Sequence, residues 1–84
     1  MAVAADERQR IAHALLALAH RRGSAGTFCP SEVARALAED WRERMPALRE
    51  VAGDLVDDGR LVATQRGRVV DPRTARGPIR LGLP

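Results

Sequence analysis

The sequence predicts an α+β fold in which a three-helix bundle precedes a β-hairpin and a small antiparallel sheet, all within one domain over residues 1–84. Two observations carry that expectation. Up to Asp58, apolar residues recur at helical spacing in segments punctuated by Gly23, Pro30 and Pro46. Beyond Gly59, short alternating runs are separated by two turn-forming pairs, Arg66-Gly67 and Asp71-Pro72. A chain of this size buries only about 60% of the surface that its unfolded form exposes, and a hydrophobic content of 45% suffices for one small core.

The first helix is expected over about 7 to 22. Ile11, Leu15, Leu18 and Ala19 share a face, Asp6 is placed to cap the N-terminus, and Gly23 follows the basic pair Arg21 and Arg22 as a stop signal. GSAGT makes a loop, and Thr27 with Phe28 suits a one-rung strand. The second helix opens at CPSEVARAL, where Pro30 fits the first helical position because its missing N–H would have had no partner there, and Glu32 favours the positive end of the helix. Val33, Ala34 and Leu37 face inward. DWRE has the Asp-x-x-Glu form of an N-terminal cap, yet Pro46 cannot donate and disfavours helix at Met45, so a short turn and a fresh helix over about 46 to 58 are expected.

Gly59 closes that third helix. RLVATQ, then RG, then RVV reads as two strands and a tight turn, although Arg-Gly is a weaker hairpin signal than Asn-Gly and leaves a longer turn open. Ile79, Leu81 and Leu83 alternate with Arg80 and Gly82 as a last half-buried strand would. The expected core joins Ile11, Leu15, Leu18, Phe28, Val33, Leu37, Trp41, Leu48, Leu55, Leu61, Val69 and Leu81.

Three helices followed by a hairpin, with LVDDGRLVATQRGR at the junction of helix, Gly, strand and wing, resemble a winged helix. More finely, CPSEVARAL, DWRERMPALR, GRLVATQRGRVVDP and ARGPIRL together are similar to a family of small bacterial domains of unknown function. The resemblance spans about residues 8 to 84. It implies the fold and brings no established activity, cofactor or site.

Composition narrows the function classes. Phe28 and Trp41 are the only aromatics, so platforms for stacking unpaired bases are scarce. A single cysteine excludes an internal disulfide and fits a reducing compartment, with the cytoplasm as the expectation. The start, MAVAADERQR, turns charged before an apolar run forms, so neither a signal peptide nor a membrane span is expected, and no membrane is expected among the partners. All 14 basic residues are arginine, a bias that weakens the high pI as an argument. Their distribution says more: residues 1–58 hold 8 arginines and 10 acids, net −2, whereas 59–84 hold 6 arginines and 1 acid, net +5.

No catalytic centre can be assembled, and the protein is expected not to be an enzyme. Cys29 precedes a helix N-terminus, which favours a thiolate, but His13 and His20 fall on the far side of helix 1 and offer it no base. The same histidines are about 10.5 Å apart along the helix, too far to share a zinc ion. GSAGT lacks the Gly-Lys-Ser/Thr ending of a phosphate loop. No cofactor is expected.

The outer face of helix 3 carries Arg49, Glu50, Gly53, Asp54 and Asp57, one base against three acids, and is repelled by DNA where recognition helices are attracted. The stretch from Thr64 to Leu83 has the opposite balance, with Arg66, Arg68, Arg73, Arg76 and Arg80 against Asp71 alone. In one reading these five arginines grip the phosphates or minor groove of DNA or RNA. In another they pair with the acidic face of helix 3, in the same chain, in a second copy or in another protein. A third reading makes them a solvated surface with no role.

Overall fold

The computed structural model describes residues 3–24 and 26–84. Three helices, α1 (Ala5–Arg22), α2 (Pro30–Leu37) and α3 (Trp41–Asp57), are joined to four short strands, β1 (Thr27–Phe28), β2 (Val62–Gln65), β3 (Arg68–Val69) and β4 (Arg80–Gly82). The strands form one antiparallel sheet in the order β1-β4-β2-β3. The fold is α+β and has the element order of a winged helix.

Helix α1 begins two residues before the expected start. Ala4 occupies the N-cap position, so Asp6 lies in the first turn with Glu7 rather than capping it; both carboxylates still face the positive end of the helix dipole. Gly23 ends the helix at φ 75, in the left-handed region that a side chain disfavours. At the start of α2 the Cys29 N–H donates to the Glu32 carboxylate at 2.9 Å, which satisfies an otherwise orphaned amide.

Helix α3 corrects the expected break at Pro46. It runs unbroken from Trp41, with Pro46 inside it. A proline there removes the N–H that would have met the Arg42 carbonyl, but both residues are exposed, so that carbonyl is open to solvent rather than stranded in the core. Tertiary contacts hold the early turns instead. Trp41, Met45 and Ala47 pack against the core, and Arg44 pairs with Glu7 of α1 at 2.9 Å. The guanidiniums of Arg35 and Arg42 each lie 4.5 Å from the Trp41 ring centre and cover what the core leaves exposed.

The buried core contains Ile11, Leu15, Phe28, Val33, Leu48, Leu55, Leu61 and Leu81 as expected, together with Ala19, Ala34, Val51, Ala52, Ala63 and Ile79. Leu18, Leu37 and Trp41 are partly buried around it. Val69 is a correction: it is 74% exposed. Period-2 alternation places a residue on one face of a strand, but burial needs a second layer over that face. β3 is an edge strand with both of its residues exposed, and nothing packs on Val69.

Candidate nucleic-acid interface

The wing is a hairpin with the shortest common turn. Thr64 pairs with Val69 and Gln65 with Arg68, leaving Arg66 and Gly67 between the strands. Their φ angles, 52 and 79, are both positive, as a type I′ turn requires to match the twist of the strands it joins. Arg66 is the one residue other than glycine held at positive φ among the described residues.

The five arginines of the basic stretch divide into two groups. Arg73 reaches back to α3, where its guanidinium meets Asp54 at 2.5 Å, Asp57 at 3.0 Å and Glu50 at 3.3 Å. Its side chain lies directly on Gly53: a Cβ there would stand 2.6–2.7 Å from Arg73 Cζ, Cγ and Nε, so only glycine leaves room. The hydrogen bonds from Arg73, and then that from Arg8, hold the Asp54 carboxyl below its ordinary range, and the Arg73 guanidinium is correspondingly harder to deprotonate. Arg80 is also committed, its Nε donating to Thr27 Oγ1 at 3.0 Å and its Nη2 to the Thr27 carbonyl at 2.9 Å, across the β4–β1 pair.

Arg66, Arg68 and Arg76 make no ion pair among the described residues. They line one open groove with Gln65, Val70 and Pro78. Gln65 builds it, because its amide Nε2 donates to the carbonyls of Arg76 and Pro78 at 2.5 and 3.1 Å and so ties the segment bearing Arg76 to the base of the wing.

Segment 71–78 acts as a strap over α3. It starts in a turn in which the Arg73 N–H donates to the Asp71 side chain at 2.9 Å and the Ala75 N–H to the Asp71 carbonyl at 2.9 Å, with Pro72 buried beneath. From α3, Arg49 donates one nitrogen each to the carbonyls of Ala75 and Gly77, both at 2.7 Å. The helix face that reads bases in a winged helix thus has its one arginine spent on the strap and its acids under Arg73.

Sequence reasoning missed Arg49 and Gln65 as tethers, since neither falls in a pattern that names its partner. Gly53 did carry a signal. A glycine inside a helix costs about 1 kcal/mol relative to alanine, which points to a packing reason. Of the other candidates, Cys29 is half-buried and accepts a hydrogen bond from Ser31 Oγ at 3.1 Å, while His13 and His20 are exposed on α1. Among the described residues there is no group of three or more His, Cys, Asp or Glu able to hold a metal ion, and no helix is long and apolar enough to cross a membrane.

The model of the family described as "Protein of unknown function (DUF3253)" matches residues 8–84, and the chain belongs to that family. No curated protein matches it.

Proposed function

We propose that this chain, a member of a family whose description assigns no activity, is a non-enzymatic nucleic-acid-binding module of the cytoplasm that grips backbone phosphates through Arg66, Arg68 and Arg76. The supporting observation is the wing groove, in which three guanidiniums without acidic partners are gathered by the Gln65 tether. Guanidinium donors form a planar fork that suits phosphate oxygens. Arg73 and Arg80 are left out of the contact set, because their donors are already used within the chain. Phosphates are alike along any sequence, so this contact confers affinity with little sequence preference.

Binding to a labelled DNA duplex and to an RNA hairpin, followed by fluorescence anisotropy as salt is raised, tests the reading. Three phosphate contacts on B-DNA give a slope of log affinity against log salt of about −2.7, and Arg68→Ala makes it shallower by about 0.9. Arg73→Ala leaves the slope alone. Absence of binding to either ligand at low salt sinks the proposal.

A further inference from the structure

The wing carries an exposed apolar residue beside its arginines: Val69, 74% exposed, the one large hydrophobic residue so placed among the described residues. Phosphate contacts have no use for it. A matching surface lies on the helices, where a groove between the start of α1 and the first half of α3 has an apolar lining of Val3, Pro46 and Ala47. Four acids also line it, Glu7, Asp40, Glu43 and Glu50, against Arg44 alone. Arg44 answers Glu7 and Asp40, and Arg73 answers Glu50. Glu43 has no ion pair among the described residues.

We infer that this groove receives the wing of a second copy of the chain edge-on, with Arg66 and Arg68 facing Glu43 on the α3 wall and Val69, which points to the opposite face of β3, covering Val3 on the other wall. The occupant is a second copy because one chain presents both complementary halves, a basic wing with an exposed valine and an acidic groove with apolar walls. Opposed charge selects this pairing and sets its register, while wing against wing or groove against groove is repelled. Two unlike patches in contact make a heterologous interface, which two copies close reciprocally or extend head to tail. The inference goes beyond the phosphate reading but uses the same wing, so a second copy and a phosphate backbone compete for Arg66 and Arg68.

The test is the mass of the full chain by light scattering at low salt, from micromolar to millimolar concentration. Mass is expected to rise with concentration and to fall back as salt is added. Glu43→Arg and Arg68→Glu alone each place like charges in contact, and each shifts association to at least about tenfold higher concentration. Mixing the two variants restores association, because every contact between them is matched; a folding defect in either variant gives no such rescue. A wild-type chain that stays monomeric to millimolar concentration overturns the inference, as do single variants that associate like wild type. The two proposals fail separately. Glu43→Arg retains DNA binding on the phosphate reading, so intact DNA binding by a monomeric wild type defeats only the self-docking, and rescue of association without any DNA binding defeats only the phosphate reading.

Discussion

Arg68 and Arg73 stand in one basic stretch, five positions apart, and have opposite fates. Arg73 lies on α3 among carboxylates, with a glycine below it and 24% of its side chain exposed. Arg68 projects from an edge strand that nothing covers. The difference lies in the backbone route. The wing forms the open edge of the sheet, whereas the turn at Asp71 and Pro72 brings the chain back over α3. Local charge density says nothing of which arginines are free, because the acids that consume Arg73 are 16 to 23 residues away in sequence. The two regions divide labour: the strap neutralises and covers the face of α3, and the wing keeps unspent charge.

The largest effect falls on the helix beneath the strap. Leu55 is 3% exposed and lies on the core-facing side of α3. Leu55→Ala leaves a cavity and destabilises by about 2–5 kcal/mol, a large share of what so small a domain possesses. Denaturant unfolding measures the loss. An unchanged midpoint would mean that α3 is not the platform on which the strap rests.

That buried face was legible in the sequence because helical period sorts residues into faces: of the expected Leu48, Val51, Ala52, Leu55 and Val56, the first four are buried and Val56 is partly buried, whereas Gly53, expected outside, is buried because Arg73 of the strap lies on it. The first turns of α3 were not legible, because the restriction that Pro46 places on Met45 is local, while Trp41, Met45 and Arg44 are held by distant partners. Val69 failed for a related reason: alternation identifies a face but not the layer above it. At the candidate site, the basic stretch was visible as charge. Its division into free and committed arginines was not, since it depends on where the strap lies.

A smaller effect separates the strap from the wing by pH. Asp54 is held below its ordinary pKa of 3.8, first by the hydrogen bond from Arg73 and then by that from Arg8. Because the folded-state pKa is depressed, the contribution to stability is fully present above pH 3.8 and is lost as the pH falls through the depressed value. Glu32, lowered from 4.5 by the Cys29 N–H and then by Arg22, acts with the same sign. Arginines keep their charge throughout, so acid loosens the strap while the wing stays cationic. Asp54→Asn should be less stable than wild type at neutral pH and should lose less stability on acidification. Acid titration followed by circular dichroism measures both. Equal acid sensitivity of the two proteins would remove Asp54 from the clasp.

The smallest effect is the sharpest, because it moves stability and binding in opposite directions at one residue. Arg66 is held at φ 52 in the wing turn. The left-handed region costs a residue with a side chain about 1–2 kcal/mol, and glycine avoids that cost while adding about 0.4–1 kcal/mol of unfolded-state entropy to be overcome. The balance predicts that Arg66→Gly stabilises the fold by about 0–1.6 kcal/mol. On the phosphate proposal the same change removes one contact and makes the salt slope of DNA binding shallower by about 0.9. Arg73→Ala, in the strap, gives the reverse: lower stability and an unchanged slope. Strain tolerated at an exposed arginine, where glycine would relieve it, fits a residue retained for its side chain rather than for the turn. Chemical denaturation and anisotropy on the same two variants decide the matter. If Arg66→Gly lowers stability, Arg66 belongs with Arg73 among the arginines that hold the fold together, and the division between wing and strap fails at its clearest point.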